Sequence, residues 1–288
     1  MNLHREALPA QANPLGLLGI EFIEYATSRP QALGQVLEAL GFRPIDRHRS
    51  REVTRYRQGN MNLVVTAHTD EARSGAGEHP PVISAVALAV RDARLAHAQC
   101  LALGAWDIPS HAQAMELHIP GIRGPGDAQF LFVDRPRGLS IFDIDFVPIP
   151  TVDPQPPAVA GQDYFGVVQY IGLDRTAEWV SFFERLFGFL EIPDGQRFGV
   201  MPAGRLMQSP CGSFMWQLIE PASPDAEDGR ERLQRVGIAA DDVPASVARL
   251  RERGVQFVDA AQLHPQDRGA LTRTQLGSVA FELVHRAA

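Results

Sequence analysis

With 288 residues, 45% of them hydrophobic and 21% charged, the chain can bury the cores of one large or two medium domains. A formal net charge of −7 with no block of basic residues argues against nucleic acid or an anionic membrane as partner, although a locally basic pocket stays compatible with it. Two cysteines, Cys100 and Cys211, are too few and too far apart for a disulfide framework or a thiolate metal site, and no apolar run reaches membrane-spanning length, so a cytoplasmic protein is expected.

The stretch MNLHREALPAQANP has no apolar core of signal-peptide length, and residues 1–13 are read as a loose leader. Four segments then share one plan, a short strand leading through a polar or proline-containing turn into an amphipathic helix that stops at a glycine. They are IEFIEYATSRPQALGQVLEALGF, ISAVALAVRDARLAHAQCLALGA, VQYIGLDRTAEWVSFFERLFGF and LQRVGIAADDVPASVARLRERGV. Gly41, Gly104, Gly188 and Gly254 are the expected left-handed helix ends. Asp92, Thr176 and Asp242 are expected N-caps, and Pro30 and Pro244 suit first-turn positions. Leu33, Val36, Leu37 and Leu40 mark the buried face of the first helix, and Val243, Val247 and Leu250 that of the last.

Strand-like runs follow each helix: TRYRQGNMNLVV, AQFLFVDRPRGLSIFDIDF, GSFMWQLIE and GSVAFELV. The repeating unit is therefore βαβββ. The proline-rich stretch 148–162, PIPTVDPQPPAVAGQ, reads as a linker between a domain of residues 14–147 and one of residues 163–288, each holding two units. The fold class expected is α+β, four βαβββ units in two paired domains.

That plan resembles the vicinal-oxygen-chelate superfamily of glyoxalase and bleomycin-resistance folds. The stretches NPLGLLGIEFIEYA, HRSREVTRYRQGNMNLVV and MELHIPGIRGPGDAQFLFVDRPRGLSIFDIDF, with WVSFFERLFGF and VAFELVHR later, resemble bacterial 4-hydroxyphenylpyruvate dioxygenase over residues 13–288. The resemblance implies two domains, each a curved sheet around a cleft, with catalysis in the second, and Fe(II) held by two histidines and a glutamate as a facial triad. It places the glutamate at Glu282. The fourth-unit histidine falls on Arg235, in a register fixed by Asp241 and Asp242. For the third-unit position, comparing Gln-Tyr-Ile-Gly with Gln-Arg-Val-Gly selects Tyr170, counting back from the helix-ending glycines selects Gln169, and an ungapped match reaches Gly166; none is a histidine. The counterparts in the first half are Phe22, Ala85 and Asp143.

No other histidine offers metal-ligand spacing. His285 is three residues beyond Glu282 and so on the opposite strand face, His264 reads as a solvated loop residue, His97 lies on a helix, and His48, His68, His79, His111 and His118 belong to the first half. The family closes its cleft with a C-terminal helix, whereas this sequence runs six residues past Glu282, so an open cleft is expected. Among polar groups that orient the keto acid, Ser209 is retained, a hairpin asparagine falls on Ile219, and Gln275 stands in for another; Ser209 and Gln275 equally fit ordinary hairpin polarity. Phe214, Met215 and Trp216 are read as an apolar wall of the cleft or as plain core.

A guanidinium where Fe(II) would sit can neutralise Glu282, so the expected arrangement is an Arg235–Glu282 pair with no metal cofactor, against the alternative that both side chains snorkel to solvent. Three functions follow. The first is a metal-free protein that binds a small aromatic or 2-oxo acid or regulates through it. The second is a metal-independent enzyme with Glu282 as base and Arg235 as carboxylate anchor. The third is a working dioxygenase using Gln169 or Tyr170 with Glu282. The sequence leaves enzyme status, ligand identity and homo-oligomerisation open.

Overall fold

The computed structural model describes residues 12–67, 79–109, 117–193, 204–221, 230–259 and 269–286. The first unit comprises β1 (Leu17–Thr27), α1 (Pro30–Ala39), β2 (Arg43–His48), β3 (Val53–Gln58) and β4 (Met61–Ala67). The second comprises β5 (Val82–Val90), α2 (Ala93–Ala102), β6 (Trp106–Asp107), β7 (Gly121–Arg123) and β8 (Gln129–Val133), followed by a short helix α3 (Ile141–Asp145) and β9 (Phe146–Pro148). The third holds β10 (Asp163–Tyr170), α4 (Thr176–Phe182), β11 (Leu190–Glu191), β12 (Arg205–Gln208) and β13 (Met215–Ile219). The fourth holds β14 (Arg232–Ala240), α5 (Val243–Glu252), β15 (Gly269–Leu271) and β16 (Phe281–His285), with Phe257 bridging to Thr272.

Local chemistry sets the helix limits. Asp92 and Asp242 each cap a helix by accepting a backbone N–H, at 2.9 and 2.8 Å, and Pro30 and Pro244 lie in first turns. All four helix-ending glycines have positive φ, from 74° at Gly188 to 104° at Gly41. Thr176 departs from expectation: it lies inside α4, and its N–H and hydroxyl both donate to Glu220, a cross-strand anchor in place of a local cap. The run SIFDIDF is also not a strand. Ser140 and Asp143 form a reciprocal capping box that starts α3, and only Phe146 resumes extended pairing.

The first two units form a nine-stranded sheet in the order β6-β7-β8-β5-β1-β4-β3-β2-β9, and the last two a seven-stranded sheet, β11-β12-β13-β10-β14-β16-β15. One hydrophobic core joins the helices to the convex side of both sheets; Leu33, Leu37 and Leu40 of α1 and Val243 and Leu250 of α5 enter it, with Val36 and Val247 packed at its edge. Across it, Phe130 of β8 meets Trp216 at 5.1 Å and Phe187 at 5.2 Å between ring centroids, tying the sheets together. Each concave face has its own smaller cluster, one around Phe22, Phe142 and Phe146, the other around Phe165, Met215 and Val284. No helix among the described residues is long and apolar enough to cross a membrane.

Candidate functional site in the second sheet

Arg235 and Glu282 stand on the neighbouring parallel strands β14 and β16, with Glu282 in register with Gly237. Arg235 Nε donates to Glu282 Oε2 at 2.8 Å, and the side chains are 4% and 0% exposed. Both charges are therefore withdrawn from water and compensate one another, and neither snorkels. The compensation is incomplete: Arg235 Nη2 and Glu282 Oε1 are buried without a hydrogen-bond partner among the described residues. A free donor and a free acceptor thus lie on one charge-neutral pair.

The surroundings are set by two bulges in the β10–β14 ladder. Pairing shifts by one residue between Tyr164 and Gly166, leaving Phe165 as the extra residue of β10, and again between Val168 and Gln169, leaving Gln234 as that of β14. Phe165 is thereby turned onto the concave face. A methyl group on Gly237 would lie 2.8 Å from Phe165 Cδ1 and 3.5 Å from Glu282 Oε1, so Phe165 and Glu282 both border Gly237 and leave no room there for a side chain. Directly across from Arg235 is Val168, whose next neighbour is Gln217 of β13. Leu206, Met215, Ile192, Ala239 and Val284 complete an apolar lining.

None of the three positions considered for a third-unit ligand meets the pair. A side chain at Gly166 is impossible, because its first carbon would fall 1.9 Å from the Met215 carbonyl oxygen and φ is +155°. Gln169 points into the core between the sheets, donating to the Pro125 carbonyl at 2.9 Å and accepting from Trp216 Nε1 at 2.9 Å. Tyr170 pairs with Arg232, whose guanidinium lies 5.0 Å from its ring centroid. The residue beside Glu282 is Phe165, which the sequence comparison passed over because the bulge breaks strand alternation.

Other expected cleft residues are also relocated. Trp216 is fully buried against Phe130 and Phe183, and Phe214 against Phe189, so of the expected apolar wall only Met215 joins the cluster around Phe165. Ser209 is a turn residue: its hydroxyl accepts from Phe214 N–H at 3.3 Å and contacts Cys211 Sγ at 3.3 Å. Gln275 lines a separate cavity of about 320 Å³ between α1 and the end of β15, on the Phe281 side of β16. Gln217, buried in the middle of the apolar strand MWQLI, is the polar cleft residue that the reading missed; a glutamine in such a strand was the available signal. In the first sheet, Phe22 and Ala87 face one another across β1 and β5, and Asp143 points outward as a helix cap while Asp145 turns inward.

Among the described residues no three His, Cys, Asp or Glu side chains gather in metal-binding geometry. His97 Nε2 lies 2.8 Å from Asp107, and His48 Nδ1 accepts from Ser50 N–H. His68, His111 and His264 lie outside the described residues.

Residues 11–147 match the family described as hydroxyphenylpyruvate dioxygenase, N-terminal, and residues 166–277 match the glyoxalase, bleomycin resistance protein and dioxygenase superfamily. The chain is 34% identical over 262 residues to a 4-hydroxyphenylpyruvate dioxygenase of Pseudomonas sp. (strain P.J. 874), covering 86% of this chain and 73% of that protein. It is 32% identical over 267 residues to a protein of Vibrio vulnificus (strain CMCP6) named hemolysin VllY, covering 85% and 73%. Among solved structures, a fusion of a xylose isomerase-like TIM barrel with 4-hydroxyphenylpyruvate dioxygenase superposes with a TM-score of 0.73 at 23% identity; the match covers 97% of this chain and half, 50%, of the fusion protein.

Proposed function

The chain belongs to the 4-hydroxyphenylpyruvate dioxygenase family, and from that premise we propose that it binds a small aromatic or 2-oxo acid in the concave face of the second sheet without the family's Fe(II). The observation that carries this reading is the 2.8 Å contact between Arg235 and Glu282. A facial triad needs three lone-pair donors around one ion, and a guanidinium has none to give while its charge repels a metal cation. Among the described residues Glu282 is the one carboxylate of this site, Phe165 borders the same glycine, and the remaining neighbours are apolar apart from Gln217. These residues do not fit Fe(II).

They do fit an organic ligand. Arg235 Nη2 is a donor for a keto or carboxylate oxygen, Glu282 Oε1 an acceptor for a hydroxyl, and Met215, Leu206 and Phe165 supply apolar contact for a ring. Glu282 Oε1, without a partner among the described residues, also favours a second reading, metal-independent proton transfer with Glu282 as base and Arg235 as carboxylate anchor. We place the protein in a reducing cytoplasm, in keeping with Cys100 and Cys211 both being free thiols.

The test has two arms. Purified protein with Fe(II), ascorbate, O2 and 4-hydroxyphenylpyruvate releases no homogentisate above a blank, and the same keto acid, titrated under a chelator, raises the melting temperature of the wild type but not of Glu282→Gln. Substantial turnover, or no thermal shift at millimolar ligand, overturns the proposal.

A further inference from the structure

The described residues bury four carboxylates: Glu21, Asp46, Asp145 and Glu282. Three of them hold an arginine. Arg135 Nη2 reaches both oxygens of Glu21 at 3.0 and 3.1 Å, Arg55 forks onto Asp46, and Arg235 holds Glu282. Asp145 is 8% exposed and, among the described residues, meets no cation; there its carboxylate accepts a single hydrogen bond, from Leu117 N–H at 3.3 Å, through Oδ2. A buried carboxylate without a counter-charge is costly, so the question is what neutralises it.

Asp145 lines a cavity of about 290 Å³ on the concave face of the first sheet. Its floor is formed by Val64, Glu24 and Gln129 of one cross-strand row and by Phe22 and Leu131 of the next, and Ala85 stands between Glu24 and Gln129, so a larger side chain there would push up into the floor. Phe22, Phe142 and Phe146 form aromatic walls, with Phe142 edge-on to Phe22 at 5.9 Å and to Phe146 at 5.1 Å. Glu24 adds a second carboxylate on the floor and accepts from the Thr66 hydroxyl at 2.9 Å. The basic groups among the lining residues are Arg51, which is exposed, and His48, edge-on to Phe146.

We propose that this cavity is a second ligand site, distinct from the Arg235–Glu282 cleft, and that it takes a small aromatic amine. The ammonium group supplies the charge that Asp145 lacks, with Glu24 reinforcing the negative field, and the ring lies among Phe22, Phe142 and Phe146. A volume near the lower end of ligand pockets, which run from roughly 300 Å³ upward, admits one ring with a short side chain.

The probe is tyramine, titrated calorimetrically into the full chain. The expected result is saturable binding that falls by about tenfold or more in Asp145→Asn, the size of one charge-assisted hydrogen bond, and is abolished in Ala85→Leu, which fills the floor. 4-Hydroxyphenylacetate, the same phenol with a carboxylate in place of the ammonium, should not displace tyramine. Circular dichroism checks each variant; if Asp145→Asn does not fold, Ala85→Leu and the displacement experiment carry the test. No binding at millimolar tyramine, binding unchanged in the variants that fold, or displacement by the anion overturns the proposal. Because Asp145 and Ala85 lie in the first sheet and Arg235 and Glu282 in the second, 4-hydroxyphenylpyruvate binding in the second cleft should persist in both variants, so the two sites fail independently.

Discussion

Replacing Arg235 by methionine removes the charge while keeping most of the side-chain volume, and so isolates the electrostatic part of the buried pair. Glu282 is 0% exposed and Oε1 already lacks a partner, so in Arg235→Met the carboxylate keeps neither counter-ion nor its one side-chain hydrogen bond. Breaking such a pair typically costs about 3–5 kcal/mol. The expected loss at neutral pH lies in that range, and urea unfolding followed by tryptophan fluorescence measures it. The double change Arg235→Met with Glu282→Leu should recover most of the loss, since an apolar pair suits the Met215, Val284 and Ile192 surroundings. A single-variant loss under about 1 kcal/mol, or a double variant as unstable as the single one, would refute the reasoning.

Four further outcomes are expected. Arg235→His combined with Phe165→His should bring Zn(II) affinity, read by calorimetry, into a measurable range, whereas Arg235→His with Gln169→His should not, because Gln169 faces Trp216 and Phe165 faces Glu282. Gln169→Leu strands the Trp216 indole N–H and the Pro125 carbonyl inside the core and should cost about 2 kcal/mol by urea unfolding. Ser140→Ala should cost about 1 kcal/mol at neutral pH through loss of the α3 cap; the hydrogen bonds from Ser140 hold Asp143 below its ordinary carboxylate range, so this contribution is present above pH about 4 and fades as pH falls through the lowered value, which unfolding at pH 7 and pH 3 compares. Burial leaves Cys100 fully shielded and pushes its thiol up to about 12, so Ellman's reagent should titrate one thiol, Cys211, in the native protein and both in denaturant.

The four units, the helix-ending glycines and the Asp92 and Asp242 caps were legible in the sequence because each rests on short-range rules, a carboxylate at a cap or a glycine at a left-handed turn, whereas the Arg235–Glu282 partnership was reached through the family resemblance. Asp92, Asp242 and the four helix-ending glycines act within a turn of the chain, so their role does not depend on what packs above them. The other side of the site was settled only by tertiary structure. Side chains alternate across a strand with period two, and each bulge reverses that alternation for every residue beyond it. The bulges at Phe165 and Gln234 depend on how β10 and β14 meet, and no local pattern in either strand announces them. They turn Phe165 onto the face that carries Arg235 and leave Gln169 facing Trp216, the reverse of what counting back from the helix-ending glycines implies. In SIFDIDF the capping box likewise winds the segment into α3, sending Asp143 outward and Asp145 into a cavity whose floor of Phe22, Glu24 and Val64 comes from strands more than fifty residues earlier in the chain.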